Sequence, residues 1–242
     1  MTEEQESSVR VSFVLPSYNT AEWLPHAVDS CLSQTYRDVE IVVVDDCSSD
    51  TTPEYVAWAK KQDWASKCVF IRNDRNLGRS ASRNIGNRAA SGGIICVLDA
   101  DDLAAPKRAE VTADHFKTGS VFVYGMAKKM DTVGRDRGME NTDVFNKEKS
   151  IECLSVGMVH STIAYSKGLA LEYPYLEGDP CRLGVDDFTI ILPMALAGVK
   201  FDYIPSVLAA YRINDFGITA LRDTREVVEF KRKFVDALMA KA

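Results

Sequence analysis

Apolar and polar positions follow two different periods along the first half of the chain. Val9, Val11, Phe13 and Leu15 stand at every second residue until Pro16, the pattern of a strand with one buried face. Across residues 21–34, Leu24, Ala27, Val28, Cys31 and Leu32 fall at helical spacing. Residues 41–44 form an unbroken apolar run that ends in Asp45-Asp46, as expected of a strand buried on both faces. Thr51 and Glu54 are spaced as a capping box around Pro53 and predict a helix to about Gln62. Residues 68–71 predict a third strand, 80–90 a helix, and 94–98 a fourth strand introduced by the turn Ser91-Gly92-Gly93. Strands alternating with helices indicate an α/β fold whose mostly parallel central sheet carries helices on both faces.

The second half is less regular. A helix is expected from Pro106 to about Phe116, and a strand over residues 121–124. Residues 131–150 are polar, contain Gly134 and Gly138, and read as an exposed or mobile loop. Residues 158–163 read as a buried strand crossing the region of the strand ends. An apolar helix over 187–197 and short strands over 201–204 and 207–211 follow. Val227, Phe230, Phe234 and Leu238 place one apolar face on a C-terminal helix. No repeat or linker interrupts the chain, so residues 9–240 are expected to form one domain.

Composition narrows the classes of function. The chain of 242 residues is 46% apolar and 26% charged, an ordinary globular mix, and its net charge of −6 argues against nucleic acid as a partner. Six scattered cysteines with no C-x-x-C pair suit reduced thiols in a reducing compartment. Residues 1–8 are acidic and polar with no signal-peptide core, and no apolar run approaches the roughly 20 residues that cross a bilayer. A cytoplasmic location follows as the expectation, with peripheral association with a membrane left open.

The chemistry concentrates at the strand ends. An apolar run breaks off at Asp99-Ala100-Asp101-Asp102, three carboxylates within four residues. Such a cluster suits a hard divalent cation, Mg²⁺ or Mn²⁺, that binds a diphosphate, or equally a solvated turn capping the next helix. Ser17-Tyr18-Asn19 and Asp45-Asp46 close two other strands, and ligands of open α/β sheets bind beyond the carboxyl ends of strands. That convergence favours the cation.

Four stretches together carry a resemblance: Val14-Leu15-Pro16-Ser17-Tyr18-Asn19 with Ser33-Gln34-Thr35-Tyr36; residues 40–52 around Asp45-Asp46; Asn76-Leu77-Gly78 with Ala81-Ser82-Arg83-Asn84 and the aspartate cluster; and, more weakly, Val185-Asp186-Asp187-Phe188 with Tyr211-Arg212-Ile213. The chain resembles family 2 glycosyltransferases of the GT-A fold. The likeness implies a nucleotide-binding half over 9–110 and an acceptor-binding half over 111–240. It implies an inverting transfer from a nucleotide-sugar donor to a hydroxyl of a glycan, lipid-linked or protein acceptor. A UDP-sugar is the leading donor, with GDP- and dTDP-sugars open.

By the same likeness Pro16, Ser17, Tyr18 and Asp46 meet the base and ribose, with Asp45 as the rival of Asp46. Arg79 and Arg83 meet the base or diphosphate; the alternative is a pair of solvated surface arginines. Asp99 and Ala100 face the ribose side of the D-x-D element, Asp101 ligates the metal, and Asp102 is the alternative ligand. Asp187 is the expected general base, although relatives commonly carry Glu-Asp where this chain has Asp186-Asp187. His160 is either an acceptor contact or a satisfied core residue. Many relatives supply a histidine ligand to the metal near the C-terminus, and none follows Arg212 here. A domain that binds nucleotide-sugar or glycan without turnover, and less so a nucleotidyltransferase, stand as alternatives.

Overall fold

The computed structural model describes residues 9–140, 144–178, 183–213 and 224–240. Its first half runs β1 (Val11–Ser17), α1 (Leu24–Leu32), β2 (Val39–Asp45), α2 (Thr52–Ala59), β3 (Cys68–Arg72), α3 (Arg79–Ala89) and β4 (Ile94–Val97). These four strands pair in parallel in the order β3-β2-β1-β4. β1 continues through Pro16, which pairs in register with Val44. The proline is tolerated because β4 pairs with β1 only as far as Val14, so no second neighbour needs its missing N–H.

The second half extends the same sheet. It contributes β5 (Leu103–Ala104), α4 (Arg108–Lys117), β6 (Phe122–Met130), β7 (Asp136–Glu140), α5 (Lys147–Cys153), β8 (Ala164–Ser166), α6 (Lys167–Glu172), α7 (Asp186–Leu196), β9 (Asp202–Arg212) and α8 (Arg225–Met239). The order continues β4-β8-β6-β9-β5, and β7 pairs with the far end of β6 on the edge opposite β9, beyond β8. Here β8 runs antiparallel to β4 and β6, while β9 is parallel to β6.

Residue alternation along β1 and β2 divides the core between the two faces. Phe13, Leu15, Ile41 and Val43 pack with Leu24, Val28 and Cys31 of α1. Val14, Val42 and Val44 join the opposite core, which includes Phe188, Ile191 and Leu192 of α7.

Four local expectations are corrected. Residues 131–150 contain β7 and α5 instead of a loop; β7 is exposed along most of its length, so it carries no apolar alternation to betray it. The segment 158–163 is buried but not a strand: it forms a 3₁₀ turn at His160–Thr162, where Thr162 Oγ1 donates to the Val159 carbonyl at 2.7 Å. The two short C-terminal strands are one, β9, whose pairing to β6 shifts register between Gly125 and Ala127. The capping box at Thr51 does not form; Asp50 instead accepts the Thr52 N–H at 2.9 Å. The five described cysteines are free, with Cys31 and Cys96 buried and Cys153 exposed, while Cys181 lies outside the described residues. Among the described residues no helix is long and apolar enough to cross a membrane.

Candidate functional site

The parallel strands deliver three polar segments to one edge. At the end of β1, Ser17 is buried with its hydroxyl 2.6 Å from that of Thr20, while Tyr18 is 48% exposed and presents its ring outward. Pro16 lies half-buried just before them. Asn19 takes the left-handed conformation at φ 52° and ties this loop to the next, its Oδ1 accepting the Ser49 N–H at 2.8 Å.

The two aspartates ending β2 have separate tasks. Asp45 pairs with Arg72 and accepts the Ser48 N–H at 3.0 Å. Asp46 accepts from Asn73 Nδ2 at 2.7 Å, Leu77 N at 2.9 Å and Gly78 N at 2.8 Å. It therefore fixes the loop that enters α3, and any contact to a ribose or base must share those oxygens. Gly78 reaches the helix at φ 86°, a conformation that favours glycine.

α3 is a polar helix with its polar face inside. Ser82, Arg83, Asn84 and Asn87 are all buried, contrary to the reading of two solvated arginines. Arg83 bridges Asp99, past β4, to Asp186, the first residue of α7. Arg79 pairs with the other Asp186 oxygen at 2.5 Å. Asn84 clasps the backbone of Tyr175 through both its amide groups at 2.9 Å. Tyr175 in turn lies under the Arg83 guanidinium and meets His160 Nε2 at 2.8 Å. Burial, then Arg83, push the His160 imidazole down to about 4, so it is neutral at physiological pH.

Two neighbouring carboxylates on α7 therefore differ sharply. Asp186 is buried, and although desolvation opposes its charge, Arg83 and Arg79 hold its carboxyl well below the usual range. Asp187 is half-buried and lines a cleft with Arg79, Arg83, Asp99, His160 and Lys231. Burial and then the Asp186 charge raise its affinity for a proton, with Lys231 acting in the opposite sense.

The D-x-D turn holds the second electrostatic contrast. Burial and then the Asp99 charge raise the Asp101 carboxyl to about 6, and burial followed by Asp101 and Asp99 lifts Asp102 well above the carboxylate range. Asp99 is held low by Arg83 despite its burial. Asp102 accepts the Arg212 N–H at 2.8 Å through one oxygen, while its other oxygen is buried with no hydrogen-bond partner among the described residues. Carboxylates that resist being charged together, one with an orphaned oxygen, fit a divalent cation. They do not complete its shell: among the described residues no three His, Cys, Asp or Glu side chains converge on one point. Ala100 is buried within the turn.

The structure thus brings Arg79, Arg83, Asp99, His160 and Asp187 around one cleft, with Asp101 in the adjoining turn. Tyr175 and Lys231 were not anticipated, and Asn84 stood in the resembling stretch without a role. Tyr175 lies in a stretch with no readable motif, and Lys231 reads as one more cation on the polar side of an amphipathic helix.

Comparisons with known proteins bear on the family and the fold. A model of glycosyl transferase family 2 matches residues 12–170. A succinoglycan biosynthesis protein, ExoO, of Rhizobium meliloti is 37% identical over 55% of this chain and 33% of its own length. An uncharacterized glycosyltransferase of a Nostoc species is 30% identical over 85% of this chain and 65% of its own. This chain thus spans from a third to about two thirds of the length of these relatives. Among solved structures, Staphylococcus aureus TarS residues 1–349 with UDP-GlcNAc superposes with a TM-score of 0.74 at 17% identity, over 96% of this chain and 67% of that one. The mannosyltransferase PcManGT of Pyrobaculum calidifontis, with GDP-Man and Mn²⁺, gives 0.65 at 18% identity, over 98% and 76%. At such identities these two establish the shared fold.

Proposed function

The chain belongs to glycosyl transferase family 2, and from that premise we propose that it transfers a sugar, with inversion, from a nucleotide-sugar to an acceptor hydroxyl, using Asp187 as general base. The observation that carries the proposal is the division of labour on α7. Asp186 is locked to Arg79 and Arg83, whereas Asp187 faces the cleft with a raised proton affinity. A base needs both access and a pKa nearer neutrality than an ordinary aspartate has.

In this reading Tyr18 stacks on the base, Asp46 and Asp99 bound the ribose side, and the cleft below Arg79 takes the sugar and the acceptor. Asp187 removes the acceptor's proton as its oxygen bonds to the anomeric carbon. The bond from that carbon to the diphosphate breaks on the opposite face. Asp101, with Asp102, would hold Mg²⁺ or Mn²⁺, whose contribution is to neutralise charge on the departing diphosphate. The neutral His160, its Nε2 held by Tyr175 and its Nδ1 3.9 Å from Asp186, lines the cleft and would help to shape the place of the acceptor or sugar. The complexes of TarS with UDP-GlcNAc and of PcManGT with GDP-Man support a nucleotide-sugar donor, and the ExoO likeness supports an acceptor in polysaccharide synthesis.

The test is Asp187→Asn. UDP- and GDP-sugars are first screened against the wild type by thermal shift with Mn²⁺, and slow hydrolysis of the stabilising donor is then followed by nucleotide release. The variant should keep donor affinity within twofold and lose hydrolysis and transfer by about 10²–10⁴-fold. Full activity in the variant would remove Asp187 as base.

A further inference from the structure

Arg212 closes β9 and reaches two places that the sequence leaves 29 or more residues apart from each other. The antiparallel register of β5 on β9, Leu103 opposite Ala210, sets Arg212 beside the D-x-D turn. Its backbone N–H donates to the Asp102 carboxylate and its Nε–H to the Asp101 carbonyl, both at 2.8 Å. The far arm of the same guanidinium donates to the Asp131 and Thr132 carbonyls, at 2.9 and 2.8 Å, in the turn between β6 and β7. The group lies over the Trp23 ring at 5.7 Å and the residue is 6% exposed.

This turn needs an external brace. Beyond β4 the chain leaves the sheet, and β5 is only two residues long. The turn itself is closed by an Asp102 N–H to Asp99 carbonyl bond of 3.0 Å. Two neighbouring carboxylates push its side chains apart. Arg212 supplies a rigid fork whose hydrogen bonds all go to carbonyls, with no carboxylate partner among the described residues, so its charge stays available to Asp101 and Asp102.

We propose that Arg212 is a positioning residue for the diphosphate end of the donor, bracing the Asp101-Asp102 turn against the β6–β7 turn so that both carboxylates present to a metal–diphosphate group. The assignment rests on the nucleotide-sugar reading above. A lysine keeps the charge but not the two-armed fork, so geometry and charge separate experimentally.

Arg212→Lys and Arg212→Met are compared with the wild type by calorimetry of UDP with Mn²⁺ and by ligand-observed NMR of uridine, with GDP and guanosine used if the wild type prefers guanine. Both variants should lose at least tenfold in diphosphate affinity while nucleoside affinity stays within twofold. Recovery of diphosphate affinity in the lysine variant would overturn the fork. A parallel fall for nucleoside and diphosphate would reduce Arg212 to general support and overturn the proposal. A wild type that binds neither diphosphate would instead refute the donor reading on which it rests.

Discussion

Asp186→Ala offers a direct measure of how much the site depends on its charge lattice. The carboxylate serves two arginines, and Arg83 has a side chain 2% exposed while that of Arg79 is 30% exposed. Removing one member of a buried ion pair costs about 3–5 kcal/mol, because the remaining charge is left desolvated. Arg83 keeps Asp99 and Arg79 can turn to water, which places the expected loss at the lower end, about 3 kcal/mol. For a chain of this size, that lowers the thermal midpoint by roughly 6–12 °C. Asp186 is held below its unfolded value, so its contribution is complete above pH ~4 and disappears as pH falls through the depressed folded value. The gap between wild type and variant should therefore be flat from pH 6 to 8 and narrow in acid. Urea unfolding at several pH values measures it, and Arg83→Met with the double mutant completes a cycle whose coupling should exceed about 1 kcal/mol. A variant within about 0.5 kcal/mol of wild type at pH 7, or additive with Arg83→Met, would refute the argument.

Three further outcomes follow from the same geometry. Gly86→Ala places a Cβ 2.5 Å from Val14 Cγ1 and 3.3 Å from Val44 Cγ2, so overpacking of about 1–3 kcal/mol should outweigh the helical gain of about 1 kcal/mol, and a raised denaturation midpoint would contradict it. Asp102→Asn should stabilise the ligand-free protein at pH 7 while weakening UDP–Mn²⁺ binding. A carboxyl raised in the fold binds its proton more tightly there than when unfolded, so the wild type loses stability as pH rises from about 4 toward 7, and the variant should show a shallower slope in thermal melts. Because Asp187 must be ionised to act, kcat/KM should fall on the acid side at a pH above the ordinary aspartate value of ~3.9, and an unchanged limb in the residual activity of Asp187→Asn would transfer it to another group, with Asp101 at about 6 the nearest in kind.

The parallel half of the sheet was legible because burial writes apolar alternation or runs into its strands, as in Val11, Phe13 and Leu15 or in residues 41–44, although β1 proves buried on both faces, with the Ser12 hydroxyl donating to Glu40. What escaped had no such imprint. Among the described residues β7 pairs only with β6, and it stays largely exposed, so Asp136–Glu140 reads as loop chemistry. The 158–163 segment is buried against the sheet as a turn: Thr162 donates locally to the Val159 carbonyl, while Ser161 accepts the Asp99 N–H and His160 meets Tyr175, partners that the local sequence does not announce. α3 reversed the usual rule, because the polar face is the buried one. Its partners Asp186, Asp99 and Tyr175 arrive from distant segments, the Arg83–Asp186 contact spanning 103 residues.

The same distance explains why candidate carboxylates could be named but not ranked. Three Asp-Asp doublets reach the site, and an arginine from elsewhere breaks the symmetry of each. Arg72 takes Asp45, leaving Asp46 to bind the loop into α3. Arg79 and Arg83 take Asp186, leaving Asp187 toward the cleft. Arg212 ties down Asp102 and the Asp101 backbone, leaving the Asp101 side chain half-buried at the turn. At Asp45 and Asp186 a guanidinium itself occupies the carboxylate oxygens, and at Asp102 the Arg212 backbone N–H does so, which leaves the neighbouring aspartate with the freer side chain. Neighbouring identical residues can thus be a structural anchor and a reactive group, and that difference resides in contacts that local sequence does not encode.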